Sequence, residues 1–219
     1  MLYTQKLNSY LYDLINRYPE LEDLKTEILE VCSSIVETFK NGGKLLICGN
    51  GGSASDSEHI VSELMKSFRI KRPINKKNSE LFYQHYGVNG QKLANMLEEG
   101  LPTVSLSNSM SLITAISNDV NPSMIYAQQV YGYGSQVDSL LLISTSGNSE
   151  NVIQAAKVGT VLGLNTISLT GKNGGNLIKY CKHNLIIPQD ETYIIQEYHV
   201  AVYHTICAVV EESIFGQRD

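Results

Sequence analysis

Three runs hold most of the residues that could do chemistry: GNGGSASDSEH at 49–59 with Glu63 just beyond, STSGNS at 144–149, and QEYHVAVYH at 196–204. The first passes from a short apolar run, Lys44 to Cys48, through a glycine turn into a polar helix start. Gly49, Gly51 and Gly52 supply the φ freedom and close backbone approach of a tight strand-to-helix loop. Ser53, Ser55 and Asp56 then offer N-cap chemistry. Free N–H groups at such a start, with the positive end of the helix dipole behind them, suit a phosphate or a polarised sugar oxygen. His59 and Glu63 follow four residues apart, a spacing that puts both on one helix face, where they could share a metal or divide acid–base work. A plain connection and a solvated surface pair are the competing readings, and the loop alone does not decide between them.

The second run repeats the device. A strand expected at Ser139–Ile143 leads directly into STSGNSENV, and a helix is expected from about Glu150. Ser144, Thr145, Ser146 and Ser149 converge there as donors. Capping a helix needs one hydroxyl, so four of them with helix N–H groups favour a phosphate monoester. In the third run, Gln196, Glu197, His199 and His204 interrupt an apolar helical pattern expected over about Thr192–Ile214. Periodicity does not choose between His199 and His204.

The elements that must position these runs alternate. Helices are expected from about Leu2 to Arg17, carrying Leu7, Leu11, Leu14 and Ile15, and from about Leu21 to Lys40, stopped by Asn41–Gly43. The helix bearing His59 should reach about Phe68. Residues 74–100 are harder to read: Gln91–Glu99 has a helical pattern, and Tyr83, His85 and Tyr86 form an aromatic cluster that could cover a pocket but reads first as surface packing. Then come a strand near Thr103–Leu106, a helix near Ser109–Ser117, Asn118 and Asp119 in a loop, and a helix from Pro122 to about Tyr131. Strands near Thr166–Leu169 and Asn184–Ile187 flank TGKNGG and a short helix. Such alternation implies a parallel sheet covered on both faces, with ligands at the carboxyl ends of its strands.

Composition narrows the function. The chain has 219 residues, enough for one medium domain with appended helices, and 17 Lys plus Arg against 22 Asp plus Glu give a net charge of −5. That balance argues against a nucleic-acid surface. The cluster Lys66, Arg69, Lys71, Arg72, Lys76 and Lys77 reads as a solvated face. Four scattered cysteines without a CxxC pair indicate a reducing compartment, and no run approaches the length of a membrane span or a signal peptide. The expectation is a cytoplasmic protein, its N-terminal helices packed on the domain or on another subunit.

In this order and at these separations, GNGGSASDSEH, ISTSGNS and IQEYHVAVYH resemble the sugar isomerase (SIS) domain, and specifically the sedoheptulose 7-phosphate isomerases, also called phosphoheptose isomerases. The resemblance covers nearly the whole chain, as one SIS domain with an N-terminal helical segment at 1–41. It implies a flavodoxin-like, three-layer αβα sandwich, usually a homotetramer with active sites between subunits, acting on a sugar phosphate and not on nucleic acid or membrane. The implied reaction interconverts sedoheptulose 7-phosphate and D-glycero-D-manno-heptose 7-phosphate through an enediolate. Carried over by position, the family's zinc ligands fall on His59, Glu63, Gln196 and His204, and the acid–base pair on Glu63 and His204. Sugar and phosphate contacts fall on Asn50, Gly51, Gly52, Ser53, Glu63, Asn118, Asp119, Ser144, Thr145, Ser146, Ser149 and Gln196. Typical members lack a segment like 74–100, which therefore reads as an insertion. The alternatives are an isomerase of another phosphosugar and a non-catalytic binding protein like the DnaA initiator-associating relatives.

Overall fold

Strand-length apolar runs that alternate with amphipathic helices can bury both sheet faces only in a layered α/β arrangement, and the computed structural model has that form. It describes residues 5–216, with side chains from Asn8 onward, so the expectations on residues 1–4 and on the Leu7 side chain lie outside the described residues. Five parallel strands, β1 (Leu45–Gly49), β2 (Thr103–Ser105), β3 (Ser139–Ser144), β4 (Asn165–Thr170) and β5 (His183–Ile186), lie in the order β2-β1-β3-β4-β5. This is the flavodoxin-like strand order, whose ligand crevice opens where the winding reverses, between β1 and β3. Gly49 pairs with Ile143 at the ends of those strands, so the glycine and hydroxyl loops leave the sheet side by side.

Successive side chains on a strand point to opposite faces. Leu45, Ile47, Leu141, Ile143, Ile167 and Leu169 pack beneath α1 (Gln5–Arg17), α2 (Lys25–Lys40), α3 (Gly52–Met65) and α8 (Thr192–Phe215). Leu46, Cys48, Leu140 and Leu142 pack beneath α6 (Ile125–Tyr133) and α7 (Glu150–Val161). α5 (Met110–Asp119) lies against α6 in that second layer, and Asn118 and Asp119 form its last turn instead of the expected loop. α1 carries Leu11 and Leu14 into the first layer. Pro19 opens a short 3-10 helix, Pro19–Leu24, which delays α2 beyond the expected start.

Two expectations fail for one reason. α3 ends at Met65, not near Phe68, and Arg72 is buried, not solvated. The Arg72 guanidinium donates to the carbonyls of Leu64 and Glu63 at 3.0 and 3.1 Å, taking the last turn of α3. It pairs with Glu211 of α8 at 3.2 Å and lies over the Phe215 ring. The Glu211 carboxylate accepts the N–H groups of Phe68, Arg69 and Ile70, which draws the chain out of helical geometry.

α4 (Lys76–Ala94) occupies much of the 74–100 segment, in place of the helix expected at Gln91–Glu99. It breaks at Gly87, whose φ is 59°, and folds back on itself. A Cβ on Gly90 would meet the Phe82 carbonyl oxygen at 1.8 Å, and Gln91 Nε2 donates to Ser79 Oγ at 3.0 Å. Tyr83 and Tyr86 are exposed, and the His85 and Tyr86 rings lie 6.1 Å apart on the arm's surface. The arm is tied at its base, where Ser67 donates through Oγ and N–H to Glu98, and Asn75 donates to Glu99.

Removing the Glu211 carboxylate leaves a buried guanidinium without its counter-charge, a change that typically costs roughly 3–5 kcal/mol. Glu211→Ala should lose stability on that scale in chemical denaturation. A loss below about 1 kcal/mol would show that the pair does not hold α3 to α8.

Candidate active site

The glycine loop is closed by its own backbone. Gly51, at a φ of 54°, starts α3 at Gly52 without a side-chain cap, and the N–H groups of Ser53, Ala54 and Ser55 bond back to Asn50 and Gly51. The expected capping by Ser53, Ser55 and Asp56 is therefore not used. Ser53 is buried, its Cβ against Gly49. Asn50 exchanges amide hydrogen bonds of 2.8 Å with Asn151, which ties this loop to the start of α7. Tyr126 donates to the Gly49 carbonyl at 2.5 Å from the opposite layer. Neither Asn151 nor Tyr126 stands out in the sequence, because their partners lie 101 and 77 residues away.

Ser149 makes no side-chain capping bond to α7. Its hydroxyl instead lies 3.2 Å from Ser144 Oγ, while the Ser146 hydroxyl accepts the Asn148 N–H. The loop rests on TGKNGG. Gly147, at a φ of 62°, sits so close to Gly174 that a Cβ would come within 1.9 Å of the Gly174 carbonyl oxygen. Glycines on both sides let two backbones nest, and Asn176 locks them by donating to Asn148 Oδ1.

Along α3 the carboxylate and imidazole expected to share a face do so, with His59 Nε2 3.3 Å from Glu63 Oε1. His204 Nε2 lies 3.4 Å from the same His59 nitrogen, and the donor atoms of the three residues all fall within 4.8 Å of one another. Ligands about 2.0–2.1 Å from a central zinc stand about 3.3–3.4 Å apart when tetrahedral; the two contacts made by His59 match that spacing, and the three residues form a group that could hold a metal ion. Phe68, placed by Glu211, stacks on His204 at a ring separation of 5.8 Å. Burial and then the neighbouring His59 hold His204 below the ordinary histidine value, against the pull of Glu63, leaving a neutral imidazole that can donate a lone pair.

His199 points elsewhere. It is fully buried, its Nε2 3.3 Å from the Thr170 carbonyl, and burial lowers it to about 4. Gln196 stands two turns before His204, and its amide covers Gly52, where a Cβ would come within 2.7 Å of Nε2. Gln196 and Asp56 line a shallow depression at the start of α3. Burial raises Asp56 to about 6, opposed by the Tyr203 hydroxyl and by His59. A larger cavity of about 540 Å³ opens on the other side of His204, bordered by Asp13, Arg17 and Arg69. Asn118 and Asp119 are exposed, and Asn118 Nδ2 donates to Asp119 Oδ1 at 2.7 Å.

Residues 9–82 and 77–171 match the family model described as SIS domain. The phosphoheptose isomerase of Trichlorobacter lovleyi is 38% identical over 207 residues, 94% of this chain and 92% of that one. That of Aliarcobacter butzleri is 40% identical over 189 residues, 86% of each chain. Among solved structures, a phosphoheptose isomerase from Francisella tularensis superposes with a TM-score of 0.74 at 30% identity, covering 94% of this chain and 97% of that one.

A hydroxyl that caps a helix contributes about 1 kcal/mol, and one aimed at a ligand contributes almost nothing to folding. Ser149→Ala should therefore change unfolding free energy by less than about 0.5 kcal/mol. A loss near 1 kcal/mol in urea titration would return Ser149 to a capping role.

Proposed function

Because the chain belongs to the phosphoheptose isomerase family of SIS-domain proteins, we propose that it interconverts sedoheptulose 7-phosphate and D-glycero-D-manno-heptose 7-phosphate. The observation that carries this reading is the convergence of His59, Glu63 and His204, whose donor atoms lie within 4.8 Å of one another across α3 and α8. His59, Glu63, Gln196 and His204 would hold one zinc ion, a Lewis acid that stabilises negative charge on the reacting sugar oxygens.

The residues divide the remaining work. A ketose becomes an aldose when a proton leaves C1, the electron pair shifts to a C1–C2 double bond, and a proton returns at C2 while the hydroxyl proton passes from O1 to O2. Glu63 would carry the carbon-bound proton, and His204 the oxygen-bound one through the ring nitrogen that an ion would leave free. The Ser144, Thr145, Ser146 and Ser149 loop would take the phosphate against the start of α7, which the freedom of Ser149 from capping supports. Asn50, Gly51 and Gly52 would line the sugar. Ser53 would act from beneath them, by fixing the loop.

The same reading makes the enzyme a cytoplasmic homotetramer with sites between subunits. Exposed Asn118 and Asp119, sugar contacts by family resemblance, support a contact made across a subunit boundary. Cys32, Cys48 and Cys207, buried and unpaired, suit a reducing compartment, and among the described residues no helix is long and apolar enough to cross a membrane. We take 74–100 as an insertion in one SIS domain, supported by a family match in two stretches that meet at 77–82.

Purified, zinc-loaded protein incubated with sedoheptulose 7-phosphate in D₂O should form the aldoheptose with solvent deuterium, followed by NMR. Chelation should abolish turnover and Glu63→Gln should reduce it at least ~100-fold, the lower range for loss of an acid–base group. No product and no exchange in folded, zinc-loaded protein would overturn the assignment.

A further inference from the structure

A histidine can hold a metal through Nε2 only if its remaining ring proton sits on Nδ1, and that choice is set by what Nδ1 faces. Here it faces Tyr203, whose hydroxyl lies 2.9 Å from His59 Nδ1. A phenol can donate or accept, so it does not fix the tautomer by itself. If its O–H pointed at Nδ1, the His59 proton would move to Nε2 and block the nitrogen that meets Glu63 and His204.

The next group outward favours one arrangement. Tyr203 also donates to Asp56 Oδ1, at 3.4 Å, and an ionised carboxylate can only accept. With the phenolic proton committed to Asp56, the phenolic oxygen is left to accept the Nδ1–H of His59. The other carboxylate oxygen, Asp56 Oδ2, is buried with no hydrogen-bond partner among the described residues. A desolvated carboxylate is costly unless compensated by positive charge.

We propose that Asp56 and Tyr203 are positioning residues for the metal centre: the carboxylate orients the phenol, and the phenol holds His59 as the Nδ1–H tautomer with Nε2 free. Asp56 and His59 are three residues apart on α3, so they share a face, and Tyr203 reaches them from α8 beside His204. The relay thus joins the two helices that carry the ligands. It rests on the zinc reading above, but concerns residues that neither bind the ion nor touch the sugar.

Tyr203→Phe removes one oxygen and keeps the ring, and Asp56→Asn keeps the shape while adding a donor. Zinc dissociation constants measured by competition with a chromophoric chelator should rise 10–100-fold in each, the usual range for loss of an outer-shell partner, with circular dichroism unchanged. Long-range ¹H–¹⁵N NMR of zinc-free wild type should place the His59 proton on Nδ1, and Tyr203→Phe should shift that signature. Affinities within twofold of wild type, or a wild-type Nε2–H tautomer, would overturn the relay while leaving the isomerase reading intact. Wild-type protein that binds no zinc would overturn the metal reading itself and the relay with it.

Discussion

The site depends on how α3 is held against α8. Each helix brings two of the four residues assigned to the metal by resemblance, and a small slide between them would separate His59 and Glu63 from His204. Two unlike contacts set the distance. At the carboxyl end of α3, Arg72 takes the carbonyls of Glu63 and Leu64 and pairs with Glu211, so the backbone that carries Glu63 is bonded to a side chain anchored on α8. At the amino end, Gly52 lacks the Cβ that would push the Gln196 amide away. A buried ion pair of this kind is weak evidence for net stability, but it is strongly directional. Position is what this one supplies.

The same carboxylate acts twice. By accepting three consecutive N–H groups, Glu211 forms the turn after α3 and brings Phe68 onto His204. An aromatic ring on one side of the imidazole limits how it can rotate, and the Tyr203 hydroxyl fixes the facing ring of His59. The space between the two histidines is therefore bounded by groups on both sides. Preorganisation of this sort is what lets a site bind charge without rearranging.

The anion loops follow a different logic, built from backbone instead of charge. The two strands that flank the reversal of winding end in register, so their loops are neighbours by construction. Glycines then allow close approach: Gly147 meets Gly174, and an amide pair joins Asn50 to Asn151. The α4 arm stands apart from this machinery. It folds on itself around Gly87 and is fastened at its base, with Tyr83 and Tyr86 exposed in the single chain.

What the sequence determined by itself was local. Strand-length apolar runs, the glycine and hydroxyl turns, and the four-residue spacing of His59 and Glu63 all follow from φ freedom and helical period, and each appears where those rules put it. Relations between distant segments were decided only in three dimensions. Periodicity on α8 left His199 and His204 equivalent; the rotation of that helix against the sheet turned His199 onto the Thr170 carbonyl and left His204 facing α3. Arg72 read as one more solvated cation until α8 brought Glu211 to it. Asp56 read as a capping residue and Tyr203 carried no signal, because the partners that matter to them come from another helix. Helical and strand periods fix which residues share a face, but which face meets which neighbour depends on the packing of the whole layer, a sum over contacts that no short window of sequence contains.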